Sequence, residues 1–188
     1  YLAIRKYAAT EPTTSAGSEE NSPGPIAYWK FDEGYGGTAY DSTINGNDGS
    51  LGTGDSAPEW QSEDMCISGK CLKYDGNDKV SISGNSINNP TEFTVGAWIK
   101  LNQFNPNTGN IGSVIFTNYG GSQKGLILYI FDDGRVGTRA HDGISSHDLK
   151  STSSINLNEW AYISTTYNGT NLKVYLNGKE ENSRTADF

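Results

Sequence analysis

Apolar and polar residues alternate along short stretches of this chain, and turns rich in Gly, Asn and Asp separate those stretches. In residues 93–101 one side of the predicted strand carries only apolar side chains, which are Phe93, Val95, Ala97, Ile99 and Leu101. This period of two is typical of a half-buried strand. No stretch keeps the 3.6-residue period of an amphipathic helix. The pattern therefore predicts an all-β protein.

Further strands are indicated by apolar runs and by the turns between them. Residues 125–131 form a nearly continuous apolar run, which is typical of a strand covered on both faces. Residues 26–32 alternate again before a glycine-rich turn. Asn177-Gly178 is the strongest two-residue hairpin turn, because both positions tolerate a positive φ. Many antiparallel strands joined by turns predict a two-sheet β-sandwich that hides its edges by jelly-roll wrapping.

The composition agrees with this fold class. The 188 residues include 4 Trp, 11 Tyr, 6 Phe and 23 Gly, a balance that favours strands and tight turns over helices. Trp29, Trp98 and Trp160 lie inside predicted strands, and we expect them in the core. The net charge is −8 without any basic run, which argues against a nucleic-acid partner. The acidic surface suits an extracellular protein or a cation binder, or it serves solubility alone.

Composition also divides the chain into three parts. Residues 1–20 are interpreted as an N-terminal arm whose first seven residues, YLAIRKY, have a strand pattern. Residues 21–25 form a linker, because their Pro and Gly residues break regular structure. Residues 26–188 are long enough for one β domain with its own core. The chain begins in a strand pattern and without Met, so we expect a fragment of a longer precursor. No apolar run approaches the roughly 20 residues that a membrane-spanning helix needs.

Two cysteines, Cys66 and Cys71, flank a Ser-Gly turn in the sequence CISGKC. A tight hairpin here would bring their Cα atoms within disulfide range. A bridge would indicate an oxidising compartment. Two free thiols are the alternative, and a metal site is disfavoured because no second Cys or His pair accompanies them.

Five motifs follow one another in an order that resembles a known family. They occupy residues 28–36 (YWKFDEGYG), 39–49, 69–76, 93–100 and 159–179. Together they resemble the laminin-G-like modules, which have the concanavalin A-like jelly-roll fold. The resemblance implies a non-catalytic recognition module of a secreted or cell-surface protein, with carbohydrate as the expected partner. Residues 1–20 resemble the closing strand of a DUF2341-type β module, which often precedes a laminin-G-like one.

The last strand of that family is the point at which this sequence departs from it. Members usually end with a strand close to IDEVRIYNRAL, which returns beside the first strand, and this motif does not occur before Phe188. We therefore expect the strand of residues 1–7, or a neighbouring copy of the chain, to complete the open sheet edge. The alternative function is a structural or assembly module of a surface appendage or envelope protein, with strands exchanged between subunits.

One loop carries a candidate metal site. It supplies hard-oxygen ligands of the kind that calcium prefers, which are Asp41, Asn45, Asn47 and Asp48. Laminin-G-like modules often bind calcium through the Asp of this loop, and Asp41 and Asn47 match that pattern. The sequence therefore predicts a structural calcium. The alternative is that these residues simply form turns by hydrogen bonding to their own backbone.

Loops also carry the candidate ligand residues, since sugar recognition needs aromatic and planar polar groups. The predicted ligand set is Asn118, Tyr119, His141, Asp142 and His147, and each of these has an alternative reading as an ordinary loop residue. Glycosidases of this fold need a pair of carboxylates near the scissile bond. Their Glu-x-Asp-x-x-Glu pattern does not occur in this chain. We therefore predict no enzymatic activity, and a concanavalin-like glycosidase is the disfavoured alternative.

Overall fold

The computed structural model describes residues 24–83, 91–105, 112–118 and 124–186. Within these residues the regular structure consists of strands and two short 3-10 turns, Gly54–Ser56 and Glu63–Met65. The strands are β1 (Thr38–Ala39), β2 (Gly49–Leu51), β3 (Glu59–Gln61), β4 (Cys71–Lys73), β5 (Val80–Ile82), β6 (Phe93–Ile99), β7 (Ser113–Thr117), β8 (Lys124–Ile130), β9 (Arg135–Asp142), β10 (Ser146–Ser154), β11 (Ala161–Tyr167), β12 (Asn171–Leu176) and β13 (Lys179–Thr185). The all-β prediction is confirmed.

Two four-stranded antiparallel sheets form the body of the protein. Their strand orders are β10-β9-β8-β7 and β13-β12-β11-β6. Apolar side chains from both sheets form one shared core, with Leu128 and Val136 on one sheet and Ile163, Leu172 and Val174 on the other. All five are fully or almost fully buried. Burial of apolar area between the two faces is the main term that stabilises this sandwich.

The alternation seen in the sequence places side chains on the two faces of each sheet. Along β11 the residues Ile163 and Thr165 point into the core and are completely buried. The apolar run in β8 is covered on both faces, as predicted. Tyr129 points away from the core, yet its ring packs against Phe131 with 4.9 Å between ring centroids. Both rings lie over Gly137, where a Cβ atom would come within 2.6 Å of Tyr129.

Smaller elements before β6 pack beside the two main sheets. β1, β2 and β5 form a three-stranded sheet, and β3 pairs with β4. Residues 26–32 alternate in burial as predicted, with Ala27, Trp29 and Phe31 half-buried. They do not form a regular strand, since their one bridge joins Trp29 to Asp41 and Phe31 has a φ of 59°. A bulky residue at positive φ interrupts an extended backbone.

The edges of the two main sheets are joined by side chains of β13. The Glu181 carboxylate accepts hydrogen bonds from the Thr152 hydroxyl and from the Ser153 amide, the latter at 2.8 Å. Asn182 and Arg184 donate to carbonyl oxygens of β10 at 2.9 Å each. β10 is a strand that the sequence pattern did not predict, because its sequence SHDLKSTSS is mostly polar. β10 is instead an edge strand, and it makes hydrogen bonds to side chains of β13 in the other sheet.

The disulfide prediction is confirmed, since Cys66 and Cys71 are bonded with their Cα atoms 5.6 Å apart. The arm of residues 1–20 and most of the 21–25 linker lie outside the described residues. The part of the chain that is described contains no helix with the length and apolar character required to cross a membrane.

Candidate functional site

An open groove of about 970 Å³ runs along the edge of β6 that faces away from β11, and we call it the edge groove. Residues 26–32 form one wall and β6 forms the other. Core-facing side chains of the opposite sheet form its floor, among them Ile115, Leu126 and Ala140. The groove is therefore a gap in the sandwich beside β6, and its floor belongs to the core cluster.

Both walls of the edge groove end at the disulfide loop. Asp32, at the end of the first wall, accepts a hydrogen bond from the Lys70 amide at 3.0 Å. Lys100, directly after β6, donates to the Met65 carbonyl at 3.5 Å. The two walls therefore run in the same direction along the groove. The groove has an aromatic end beside the disulfide loop, and its other end lies near the start of β6.

Side chains on the core-facing side of β6 remain half-exposed. Phe93, Val95 and Ala97 alternate correctly with polar or small neighbours, yet none of them is fully buried. The equivalent face of the adjacent β11 is fully buried, with Ile163 at 0% exposure. β6 pairs with β11 on one side and has no strand partner on its other side among the described residues. Its partial exposure follows from that open edge.

Exposed aromatic rings mark the end of the edge groove beside the disulfide loop. Trp98 is 52% exposed, and its ring centroid lies 5.4 Å from that of Tyr162. The Tyr162 ring extends over Gly96, where a Cβ atom would come within 2.3 Å of the tyrosine hydroxyl. Tyr28 of the opposite wall is also 52% exposed. The prediction that Trp98 lies in the core is wrong, because it belongs to the outward-facing set of β6.

Polar side chains gather at the other end of the edge groove. Asn118, His141 and Asp142, all predicted ligand residues, line this end. Asn118 accepts a hydrogen bond from the Leu126 amide at 2.7 Å. His147 does not line the groove, but its Nε2 atom lies 3.6 Å from the Asp142 carboxylate. The structure therefore brings four of the five predicted residues together, and Tyr119 lies outside the described residues.

The Asp142 carboxylate is held in a fixed position. It accepts hydrogen bonds from the Ser145 and Ile144 amides at 2.6 Å each. These bonds, together with the neighbouring imidazole of His147, keep the pKa of the Asp142 carboxyl below its ordinary value. Asp142 is therefore an ionised acceptor near neutral pH, suited to hydroxyl donors.

The loop predicted to bind calcium is held together by its own hydrogen bonds. Asp41 Oδ1 accepts from the Tyr28 and Thr43 amides at 2.9 Å each. Its Oδ2 atom accepts from the Thr43 hydroxyl at 2.8 Å and from the Asn47 amide at 2.9 Å. Partial burial alone would raise the pKa of the Asp41 carboxyl, but these donors outweigh it and hold the pKa well below its ordinary value.

The other predicted calcium ligands also make hydrogen bonds within this region. Asn45 and Asn47 both donate from Nδ2 to the Ile26 carbonyl at 2.9 Å. Asp48 accepts from the Asp41 amide at 2.8 Å. Calcium needs six to eight oxygen ligands, and this donor set does not provide that cage. The described residues also contain no group of three or more His, Cys, Asp or Glu side chains suited to a metal. The calcium site stays a prediction that this geometry does not favour.

Sequence reasoning did not identify the aromatic part of the groove. Trp98 and Tyr162 occupy directly opposed positions on β6 and β11. The signal was present in the alternation itself, because Trp98 falls between Ala97 and Ile99 on the opposite face from them. Phe104 does not belong to this exposed aromatic group. Its ring packs against the core and contacts the turn at Gly134.

Comparisons with known proteins agree with the observed fold. A laminin G family model, described as the concanavalin A-like lectin/glucanases superfamily, matches residues 74–187, which is more than half of the chain. Comparison with curated proteins finds no match.

Two solved structures share this fold at low sequence identity. Domain 4 of AbnA, an extracellular GH43 arabinanase from Geobacillus stearothermophilus determined in complex with arabinotriose, aligns with a TM-score of 0.63 and 18% identity over 85% of this chain and 74% of that one. A domain of an S-layer domain-containing protein from Clostridium thermocellum aligns with a TM-score of 0.52 and 19% identity over 86% of this chain and 73% of that one.

Proposed function

Because this chain belongs to the concanavalin A-like lectin/glucanases superfamily, we propose that it is a non-catalytic carbohydrate-recognition module of a larger extracellular protein. The observation that carries the proposal is the edge groove, where exposed aromatic rings and predicted polar ligand residues lie along one open surface. Sites for small ligands combine an apolar surface with a few well-placed polar groups. The edge groove has this composition.

The two ends of the groove offer different contacts to a sugar chain. At the aromatic end, the exposed ring of Trp98 provides a flat apolar surface for the hydrophobic face of a sugar ring. At the polar end, Asp142 accepts hydrogen bonds from hydroxyl groups, and His141 and Asn118 lie beside it. An oligosaccharide lying along the rim would use both kinds of contact. A single monosaccharide would use one of them and bind more weakly.

Two further findings support an extracellular recognition role. The Cys66–Cys71 bridge is typical of proteins from oxidising compartments. The structurally similar AbnA domain belongs to an extracellular enzyme and was determined with arabinotriose bound. That likeness makes arabinotriose the first probe to use.

The proposal is tested by glycan-array binding, in calcium and in a chelator, followed by calorimetric titration with arabinotriose. We expect binding that Trp98→Ala weakens at least tenfold. Tyr35→Ala removes another exposed aromatic side chain from a loop outside the groove, and we expect it to leave affinity unchanged. Equal weakening by both variants would contradict a groove site. Sugar release from any polysaccharide would contradict the non-catalytic assignment.

The open edge of β6 also favours a second candidate function, an assembly module in a cell-surface structure. Unpaired strand edges are ready sites for pairing with another chain. Sedimentation velocity over a wide protein concentration range distinguishes the two functions. Concentration-dependent association without glycan binding would support the assembly module, whereas a monomer that binds glycans would support the recognition module.

A further inference from the structure

The turn between β9 and β10 is closed by side chains that accept hydrogen bonds from its backbone amides. The amides of Gly143, Ile144 and Ser145 are three consecutive donors, and each has a side-chain acceptor. His141 Nδ1 accepts from the first of them at 2.9 Å, and Asp142 Oδ1 accepts from the other two at 2.6 Å each. A backbone bond across the turn, from the Asp142 amide to the Ser145 carbonyl, is longer at 3.3 Å. The conformation of this turn therefore depends on His141 and Asp142.

The hydrogen bond from Gly143 fixes the form of the His141 ring. A ring nitrogen that accepts an N–H bond carries no proton, so the neutral His141 ring has its proton on Nε2. A protonated ring has N–H donors at both nitrogens, and its Nδ1 would then place a donor against the Gly143 donor. The turn as observed therefore requires the neutral ring.

Charged and titratable groups surround His141 on its own strand, on both neighbouring strands and in the groove. In the described part of the chain they are Arg139 and Asp142 on β9, His147 and Asp148 on β10, Lys124 at the register position opposite Asp142 on β8, and Glu92 directly before β6. Arg139 and Asp148 are paired with each other at 2.6 Å. These charges influence the pH at which His141 gains a proton. They do not change the consequence, because a protonated Nδ1 has no lone pair for the Gly143 amide.

We propose that His141 is a positioning residue, which holds the β9–β10 turn and with it the Asp142 carboxylate in place only while its ring is neutral. Asp142 lines the polar end of the edge groove. The consequence for ligands rests on the proposed function: glycan affinity falls as acid protonates His141 and the turn loses the acceptor of its Gly143 amide. Histidine side chains ordinarily change charge between about pH 5 and pH 8, so we expect the effect in that range. Asp142 stays ionised there, since its carboxyl pKa lies below its ordinary value, so it is not the source of the change.

Nuclear magnetic resonance of the full 188-residue chain tests the turn without any ligand. At about pH 8 the neutral His141 ring should carry its proton on Nε2, and the Gly143 amide should be protected from exchange. At about pH 5 that amide should exchange about fivefold faster or more, after correction for the intrinsic pH dependence of exchange, because it has lost one hydrogen bond. His141→Asn supplies a non-titrating acceptor in the form of an Asx turn, so Gly143 should stay protected at both pH values. His141→Phe keeps a ring but has no acceptor, so Gly143 should be unprotected at both.

Calorimetric titration with arabinotriose, or with a glycan that the array identifies, measures the consequence for binding. We expect the unmodified protein to bind about fivefold more weakly at about pH 5 than at about pH 8, the effect of one lost hydrogen bond. His141→Asn should abolish this pH dependence. His147→Gln removes the other histidine of the chain and should keep it.

Several outcomes would overturn this proposal. A proton on Nδ1 of the neutral His141 ring would do so, and so would a Gly143 amide that stays equally protected when that ring is protonated. A pH dependence of binding that persists in His141→Asn and disappears in His147→Gln would assign the effect to His147 instead. If arabinotriose and every glycan on the array fail to bind at both pH values, the proposed function fails, while the Gly143 amide still decides whether His141 holds the turn.

Discussion

Asp41 organises its loop through hydrogen bonds to both carboxylate oxygens. Both of its oxygens accept hydrogen bonds, and the donors are residues 43 and 47 of the same loop and residue 28, which is thirteen positions away. The Trp29 indole donates to the Asn47 carbonyl at 2.8 Å and so fixes the loop to one wall of the edge groove. This network holds the loop in place through hydrogen bonds to Asp41, the residue at which the sequence predicted calcium.

We expect Asp41→Asn to destabilise the protein by about 1–2 kcal/mol. The neutral amide oxygen is a weaker acceptor than a carboxylate oxygen, and the amide NH₂ group would face N–H and O–H donors that it cannot bond. Asp55→Asn, a change at an exposed acid in a 3-10 turn, is the matched control and should have little effect. Urea unfolding measures both variants. Thermal unfolding of the unmodified protein should be the same in calcium and in a chelator. A large stabilisation by calcium that Asp41→Asn abolishes would restore the metal site.

Single residues also show where the sequence was sufficient and where it was not. The alternation in β6 correctly assigned Phe93, Val95 and Ala97 to the core side, because strand geometry alone determines that face. Trp98 was assigned to the core because it is large and apolar, although its position placed it on the outer face. The metal prediction at Asp41 stays a prediction, because residue type cannot distinguish an oxygen that binds a cation from one that accepts amide hydrogen bonds.

At the level of strands, β10 and β13 depend on each other. Few of their residues are apolar, and their side chains bond across the two sheet edges instead. Glu181 lies at the centre of this contact, with its side chain only 3% exposed. Hydrogen bonds from Thr152 and Ser153 lower the pKa of the Glu181 carboxyl to about 2. The contact between the sheets therefore depends on an ionised carboxylate.

The lowered pKa of Glu181 predicts acid sensitivity. Its ordinary value is 4.5, so its contribution is complete above that pH and is lost as the pH falls toward about 2. We expect Glu181→Gln to reduce stability at pH 6 and to lose less stability than the unmodified protein between pH 5 and about pH 2. Asp55→Asn, which removes an exposed carboxylate outside this contact, is the control. Parallel pH profiles for all three proteins, measured by urea unfolding, would contradict this role.

The disulfide loop carries a second prediction at this level. The Cys66–Cys71 bridge closes a short loop, so by the chain-entropy argument its removal costs at most about 2 kcal/mol. The Cys66→Ser, Cys71→Ser double variant should remain folded, with a lower thermal midpoint. A reducing agent should lower the midpoint of the unmodified protein to the same value and leave the double variant unchanged. Complete unfolding of the variant would mean that the bridge is essential to the fold.

Strand prediction succeeded for segments that bury an apolar face. It failed for segments whose conformation depends on pairing with other strands. β11 and β12 bury their core-facing sides, β8 is covered on both faces, and β6 half-buries its apolar face; the sequences of all four strands show these apolar positions. β10 contains Leu149 as its one large apolar side chain, so only its pairing with β9 makes it a strand. Residues 26–32 show the opposite case, because they have the alternation of a strand but lack a pairing partner along the edge groove among the described residues. The alternation of apolar and polar residues predicts which face of a segment is buried. Whether the segment pairs as a strand depends on the strands beside it.

At the scale of the whole molecule, the two sheets share one core, so we expect them to unfold together. The four Trp residues lie in both the small elements and the main sheets, so tryptophan fluorescence reports on most of the domain. Circular dichroism reports mainly on the two large sheets. In urea the two signals should give the same midpoint, which is the mark of a single cooperative unit. Separate midpoints would mean that the elements before β6 unfold independently of the sandwich.

Substitution at the centre of the core tests the same cooperativity. Ile163 is completely buried between the sheets, and Ile163→Ala should cost about 2–5 kcal/mol, since the cavity adds to the lost burial. Thr166→Ala, on the outer face of the same strand, should change stability by less than about 0.5 kcal/mol. Because the core is shared, Ile163→Ala should shift the fluorescence and circular-dichroism midpoints equally. A shift in the circular-dichroism midpoint alone would show that the edge groove separates two units, so that the wall of residues 26–32 stays folded when the sandwich opens.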